Sequence, residues 1–212
     1  MLATSSWKVL NADALRDAAL VSEPFPHLII DNIIRPQVLS EVVESFPRID
    51  KRGSFPPHAV SCSGRFAALM EEIQSVELRD LIGKRLGMDL AGRPPMVTVR
   101  GRTSMKDGEI HTDSKSKLVT VLLYLNPAWA SSAGRLRLLY NDRDLSPYAA
   151  EISPEAGRCL VFKVTPHGWH GHEPFEGERR TIQLNYVTSE KVRDREVNRH
   201  RLSAFVKKLF SK

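Results

Sequence analysis

The run KLVTVLLYLN, residues 117–126, consists largely of β-branched and aliphatic residues and is followed directly by a proline. This composition is typical of a strand that is buried in a sheet. Four similar runs lie on either side of it, separated by Gly, Pro, Asn and Asp. No helical pattern lies between them, so we expect antiparallel sheets in a sandwich, a jelly roll or a barrel. The four runs are MVTVRG (96–101), GRLRLLY (134–140), RCLVFKV (158–164) and RTIQLNYV (180–187).

The residues before this β region predict one extended segment and three helices. PFPHLIIDNII (24–34) is apolar and bounded by prolines, which favours a strand. Helical spacing of apolar residues follows at 36–46, at 66–73 and at 75–87. Ser75 is a suitable N-cap for the last of these helices. The predicted class is therefore α+β and mainly β, with an N-terminal helical layer.

The composition and charge of the 212 residues limit the functions to consider. A hydrophobic fraction of 42% suits one structural domain with a sizeable core. The formal net charge of +6 does not indicate a nucleic-acid-binding body, because most of the excess lies after residue 187. Cys62 and Cys159 are the only cysteines and form no CxxC pair, so we expect a reducing compartment, the cytoplasm.

Three regions are predicted along the chain. Residues 1–95 form a helical and strand support region, residues 96–188 the β core, and residues 189–212 a basic C-terminal helix. The apolar residues of RLSAFVKKLF (201–210) share one helical face. We expect this amphipathic helix to dock on its own domain, to recruit a partner or to contact a membrane surface.

A candidate metal site begins in EIHTDSKS (109–116), where His111 and Asp113 are two residues apart. An imidazole and a carboxylate at this spacing can reach one ion from the end of a strand, although Glu109 is a competing carboxylate. A second imidazole from a distant strand would complete the 2-His-1-carboxylate set that is typical of non-haem Fe(II) oxygenases. TPHGWHGH (165–172) offers that imidazole on His167, His170 or His172.

Four further stretches have a recognisable order: VTVLLYLNPAW (119–129), SAGRLRLL (132–139), ISPEAGRCLVF (152–162) and HGHEPFEGERRTIQLNYV (170–187). Together with the His-x-Asp, they resemble the catalytic core of the 2-oxoglutarate- and Fe(II)-dependent dioxygenases, in the prolyl-hydroxylase-like branch. Ala133 replaces the first glycine of the family's turn. The resemblance implies a double-stranded β-helix, also called a jelly roll.

The resemblance also implies a set of metal ligands. In the family, the second histidine ligand stands four residues before a proline, and His170 stands four residues before Pro174. Iron is therefore expected on His111, Asp113 and His170. His172 is expected beside the site, in contact with substrate, or at a solvated rim.

A second set of residues is implied for the cosubstrate. The family's oxoglutarate-binding arginine corresponds to Arg179 on the closing strand, with Arg180 as the alternative if the register shifts by one residue. Tyr124 corresponds to a tyrosine that binds the same carboxylate, with plain sheet packing as the alternative. An arginine fork matches a carboxylate in two parallel hydrogen bonds, which suits this role.

The function implied by the resemblance is hydroxylation of an unactivated C–H bond. The cofactors are Fe(II), 2-oxoglutarate and O2, with ascorbate as a reductant, and the products include succinate and CO2. We expect a small-molecule or glycan substrate, with a peptide as the alternative, and no nucleic-acid partner. Two other functions remain open: a non-catalytic metal- or sugar-binding jelly roll, and a basic adaptor for membranes or nucleic acid.

Overall fold

A computed structural model describes residues 6–198 of the chain. The N-terminal part contains helices and one strand, and all later strands follow from residue 95 onwards. The helices are α1 (Ala12–Asp17), α2 (Leu39–Glu44), α3 (Gly64–Glu72) and α4 (Val76–Leu86), with 3-10 turns at Pro36–Val38 and Pro57–Ala59. The strands are β1 (His27–Ile30), β2 (Pro95–Thr103), β3 (Lys117–Tyr124), β4 (Leu136–Leu139), β5 (Tyr148–Ile152), β6 (Cys159–Lys163), β7 (His170–Gly171) and β8 (Gly177–Val187).

The strands form two antiparallel sheets. The larger sheet has the order β1-β6-β3-β8-β2, and the smaller sheet has the order β5-β4-β7. The predicted mixture of helices and antiparallel sheets is therefore confirmed. Apart from β4 and β5, neighbouring strands in the two sheets are not consecutive in sequence, so each sheet forms only when separate segments of the chain come together.

Three elements were not predicted from the sequence. Residues 148–152 form β5 and pair with β4. Their sequence, YAAEI, lacks the β-branched residues of the other strands, so its extended form depends on pairing with its neighbour. The two-residue strand β7 is too short for any pattern, and no helix was predicted at the position of α1.

Helix α4 begins and ends at the residues that the sequence predicts. The Ser75 side chain accepts a hydrogen bond from the Leu78 backbone amide at 3.2 Å, which caps the first turn. Gly87 follows the last turn with φ of 63°, in the left-handed region that glycine adopts without strain. Both predicted boundaries are confirmed.

The two faces of the larger sheet pack against two different hydrophobic cores. The first core packs the helices against the outer face, where Ile182, Leu184 and Tyr186 of β8 are fully buried. The second, smaller core lies between the two sheets and includes Tyr124. Because side chains alternate along a strand, the remaining side chains of β8 face the space between the sheets. This face carries the candidate site.

The C-terminal region is only partly described. Residues 190–198 are helical, and the predicted apolar face at 201–210 lies outside the described residues. Within residues 6–198, no helix combines the length and the apolar character needed to cross a bilayer.

Candidate functional site

His111 and His170 are held side by side by the backbone. Each residue donates its amide to the carbonyl of the other, at 3.0 Å in both directions. The centroids of the two imidazole rings are 4.4 Å apart. This antiparallel bridge brings together two residues that are far apart in sequence.

Hydrogen bonds fix the orientation of both rings. The Nδ1 atom of His111 lies 2.8 Å from the Glu109 carbonyl, and that of His170 lies 2.9 Å from the Gly168 carbonyl. Since a carbonyl accepts, both Nδ1 atoms carry the hydrogen and leave Nε2 free to bind a metal. Burial and the nearby His111 lower the pKa of His170 to about 4. His170 is therefore neutral at physiological pH, as a metal ligand must be.

Asp113 is oriented by two neighbours on β3. Lys117 Nζ lies 2.5 Å from its Oδ1, and the Thr120 hydroxyl donates to its Oδ2 at 2.5 Å. Asn185 in turn donates to Thr120 Oγ1 at 2.7 Å. Burial disfavours the charged carboxylate, but the charge and hydrogen bond of Lys117 outweigh it, so the pKa of Asp113 is lowered. The carboxylate is ionised and held in place.

The donor atoms of these three residues lie close enough to share one ion. One ligand atom from each of His111, Asp113 and His170 lies within 4.8 Å of the others. Metal–ligand bonds of this kind are about 2.0–2.2 Å long, so small side-chain movements suffice to close the set around an ion. Two imidazoles and one carboxylate are the donor set of non-haem Fe(II) sites, and the residues fit that metal.

The three residues line one end of a cavity between the sheets, with a volume of about 280 Å³. Its floor is formed by the polar face of β8. Among its lining residues are Arg100, Thr120, Tyr124, Arg179, Thr181 and Gln183. Arg179, Thr181 and Gln183 alternate along β8 and all line the cavity. Asn185, the next residue on this face, donates to Thr120.

Arg179 and Tyr124 meet on the cavity wall. Arg179 is 6% exposed, and its Nε donates to the Gly134 carbonyl at 2.9 Å. Its guanidinium carbon lies 5.2 Å from the centre of the Tyr124 ring. The Tyr124 hydroxyl is fully buried and has no hydrogen-bond partner of normal geometry among the described residues. Burial raises the pKa of Tyr124, and the charge of Arg179 offsets this only in part.

Arg180 points away from the cavity. Its guanidinium donates to the Val43 carbonyl at 3.2 Å, pairs with Glu178 at 2.5 Å, and lies 5.3 Å from the centre of the Phe46 ring. The structure therefore places Arg179, and not Arg180, against the candidate site.

The other histidines of the stretch differ in position. His172 is 7% exposed and lines the cavity, with Nδ1 bonded to the Glu173 carbonyl at 2.9 Å. Burial and the charge of Arg179 lower its pKa to about 4, so it is neutral. His167 is exposed and does not line the cavity. Glu109 lines the cavity mouth but does not join the three donor residues.

The chain was compared with known proteins. Residues 102–187, which contain all three donor residues and Arg179, match the model of the 2OG-Fe(II) oxygenase superfamily. This part of the chain is therefore similar to the 2OG-Fe(II) oxygenases, which are enzymes that use Fe(II), 2-oxoglutarate and O2. A search of curated protein sequences gave no match.

Two solved structures show a fold similar to that of this chain. A prolyl-4-hydroxylase from Pseudomonas putida has 17% identity and a TM-score of 0.51, and the match covers 83% of this chain and 88% of the other. A prolyl hydroxylase from Trichoplax adhaerens, in complex with a peptide fragment of the hypoxia inducible factor oxygen degradation domain, has 24% identity and a TM-score of 0.53. That match covers 87% of this chain and 90% of the other.

Several residues in or beside the cavity were not predicted from the sequence. Thr120 and Lys117, which hold Asp113, lie on β3 at positions that the strand pattern alone interprets as packing or surface. Arg100 on β2 also lines the cavity. The sequence does contain a signal for Arg100. A charged side chain within the apolar run MVTVRG requires a polar or charged partner, which a binding cavity can supply.

Gly108 lets the loop before His111 pass close to His172. Its φ is 108°, and a Cβ at this position would lie 2.4 Å from the His172 carbonyl oxygen. We expect Gly108→Ala to lower the free energy of unfolding by about 1–3 kcal/mol from backbone strain, and further from the clash. Chemical denaturation of the variant measures this loss.

Gly92→Ala is the matched control, because Gly92 also has a positive φ, 67°, but has open space around its Cβ position. Gly92→Ala should therefore show the backbone strain of an alanine at positive φ without the steric clash. Equal losses in the two variants would contradict the close packing of this loop on His172.

Proposed function

We propose that His111, Asp113 and His170 hold Fe(II), and that Arg179 and Tyr124 bind the distal carboxylate of 2-oxoglutarate. The observation that carries this proposal is the convergence of three oriented donor residues and one buried arginine on a single cavity. A buried guanidinium requires an anionic partner, and the buried Tyr124 hydroxyl requires an acceptor. The carboxylate of 2-oxoglutarate supplies both.

We further propose that the two sheets form a double-stranded β-helix at residues 96–188, with residues 1–95 as a supporting layer. The pairing of His111 with His170 supports this, because it adds a fourth strand position to the smaller sheet, beside β7. The two sheets then enclose the cavity from opposite sides.

The residues contribute to the reaction by binding and orientation. Bound Fe(II), with 2-oxoglutarate and O2, supplies the oxidising chemistry that hydroxylates a C–H bond and releases succinate and CO2. Thr120 and Lys117 hold the Asp113 carboxylate, and the Gly168 and Glu109 carbonyls keep each Nε2 directed at the metal. The apolar second core behind the cavity excludes water from the reacting end.

A compact substrate, or the compact end of a larger one, fits this cavity. Its volume of about 280 Å³ lies just below the range of roughly 300–1,000 Å³ that is usual for sites holding drug-sized ligands, and the cosubstrate shares the space. We propose hydroxylation of a small molecule or a saccharide, with a peptidyl side chain as the alternative. The Trichoplax adhaerens structure, which holds a peptide, motivates the alternative.

Replacing Tyr124 with phenylalanine separates the binding role of its hydroxyl from its packing role. We expect the KM for 2-oxoglutarate to rise about 2- to 10-fold, because one hydrogen bond to the cosubstrate is lost. The free energy of unfolding of the metal-free protein should change little, since the hydroxyl makes no hydrogen bond of normal geometry there and interacts only with the neighbouring Arg179. A loss of stability with an unchanged KM would instead indicate plain sheet packing.

Turnover of 2-oxoglutarate tests the proposed function. The purified protein is incubated in air with Fe(II), ascorbate and 2-oxoglutarate, and succinate is quantified with and without a metal chelator. We expect succinate that depends on both iron and O2. No succinate, together with no binding of 2-oxoglutarate to the metal-loaded protein, would contradict the proposal and favour a non-catalytic jelly roll.

A further inference from the structure

Arg100 is a second arginine in the cavity, and the proposed chemistry gives it no role. It lies on β2 directly opposite Thr181 of β8. Residues directly opposite one another in an antiparallel pair point to the same face of the sheet. Arg100 and Thr181 therefore reach the cavity together, next to Arg179, and all three line it.

Two polar atoms at this wall have no protein partners among the described residues. The Nε of Arg100 and the Oγ1 of Thr181 are both shielded from solvent and make no hydrogen bond among the described residues. Within the same residues Arg100 makes no ion pair shorter than 4.0 Å. By contrast, Arg137 pairs with Glu151 at 2.8 Å and with Glu173 at 3.1 Å. An arginine with a structural role typically makes ion pairs of this kind, and Arg100 makes none among the described residues.

The charge of Arg100 is also not neutralised by the wall around it. Burial lowers the pKa of its guanidinium, Asp107 opposes this effect, Arg179 adds to it, and Asp113, one of the proposed metal ligands, opposes it more weakly. Asp107 is already engaged, since its Oδ2 accepts from the Ser104 amide at 2.8 Å and lies 3.8 Å from Arg52. An arginine remains protonated in proteins, so Arg100 is a fixed positive charge facing the cavity.

The cosubstrate does not account for this charge. 2-Oxoglutarate has two carboxylates. The proposed function assigns the distal one to Arg179 and Tyr124, and the other would lie at the metal end of the cavity. Arg100 then remains as a buried cation with an unpartnered hydroxyl, Thr181, beside it. A buried charge of this kind is stabilised by an opposite charge that arrives with a ligand.

We propose that Arg100 and Thr181 bind a carboxylate of the primary substrate. This assignment rests on the proposed function and specifies its substrate class: a compact acid, such as an amino acid or a uronic acid, whose reacting carbon lies near the carboxylate. The planar fork of the guanidinium matches a carboxylate, and the Thr181 hydroxyl donates a further hydrogen bond. Recognition at this point would also orient the substrate towards the metal.

The test is a binding titration that needs no turnover. The protein is loaded with Mn(II) and saturated with 2-oxoglutarate without O2, and is titrated by calorimetry with matched acids and amides. The probes are the aliphatic L-amino acids and their primary amides, and glucuronate and glucuronamide. We expect at least one acid to bind about 10- to 100-fold more tightly than its amide, since charge-assisted hydrogen bonds have this strength. The two series distinguish an amino acid from a sugar acid.

Three variants assign the preference to Arg100. Arg100→Gln should remove it, and Arg100→Lys, which keeps the charge but not the fork, should retain part of it. Arg102→Gln is the matched control, because Arg102 lies on the same strand, is exposed and does not line the cavity. It should keep the full preference.

Each other outcome overturns the assignment. Acids that bind no better than amides in the unmodified protein would contradict it without any variant. A preference that survives Arg100→Gln would also contradict it. If Arg100→Gln weakens 2-oxoglutarate binding and leaves the acid preference intact, Arg100 belongs to the cosubstrate. Failure of the unmodified protein to bind 2-oxoglutarate would overturn the proposed function itself, which is a distinct result.

Discussion

Replacing His170 with alanine is expected to abolish iron-dependent turnover of 2-oxoglutarate. His170 is 4% exposed, neutral, and held by the Gly168 carbonyl with Nε2 free for the metal. Loss of a residue that only orients a ligand typically costs 10- to 100-fold in metal affinity. Loss of the ligand itself should exceed this, so we expect succinate formation to fall at least ~100-fold.

The matched control for this variant lies three residues away. His167 is exposed and does not line the cavity, so His167→Ala should keep metal binding and turnover within about twofold of the unmodified protein. Metal content by elemental analysis and succinate formation are measured for both variants. Full activity in His170→Ala, or equal losses in both, would show that another residue holds the metal.

Replacing Arg179 with glutamine is expected to raise the KM for 2-oxoglutarate about 100-fold or more. The side chain is buried, and its Nε is held by the Gly134 carbonyl, so the guanidinium is positioned before the ligand binds. Breaking a buried ion pair by removing one partner costs about 3–5 kcal/mol. Steady-state kinetics with varied 2-oxoglutarate measure the effect.

Arg180→Gln is the control for this prediction, because the neighbouring side chain faces the opposite side of β8. It removes the bond to the Val43 carbonyl and the contact with Phe46, so we expect a modest loss of stability. The KM for 2-oxoglutarate should stay within about twofold. A larger rise of KM in Arg180→Gln than in Arg179→Gln would contradict the assignment of the cavity face.

The sequence predicts the strands that carry the fold because these strands have strong local patterns. In the run at 180–187 apolar residues alternate with polar ones, and in the run at 117–126 they follow one another. Both patterns are typical of buried strands. The strand β5 has no such pattern, and β7 has two residues, so both depend on pairing with β4. Pairing between segments distant in sequence is not encoded in local composition.

The three donor residues were predicted from the resemblance to a known family, because the motifs that carry the resemblance are local in sequence. A His-x-Asp and a later histidine four residues before a proline are visible in the printed sequence. The choice between Arg179 and Arg180 rested on the strand register, which a shift of one residue reverses. The structure places Arg179 in the cavity through its bond to Gly134.

The residues that were missed act through contacts that the sequence does not show. Thr120 reaches Asp113 only because β3 runs beside the loop that follows His111. Arg100 reaches the cavity because it is paired with Thr181 across two strands more than 80 positions apart. Their roles depend on strand register and burial, and both are properties of the assembled sheet.

The most direct test of the central claim is the position of the metal and the cosubstrate in a crystal of the protein grown with Mn(II) and 2-oxoglutarate under exclusion of O2. Anomalous scattering locates the ion independently of the protein coordinates. The account predicts one ion bound by His111, Asp113 and His170, with the distal carboxylate of 2-oxoglutarate on Arg179. An ion bound elsewhere, or a distal carboxylate on Arg100, would contradict it.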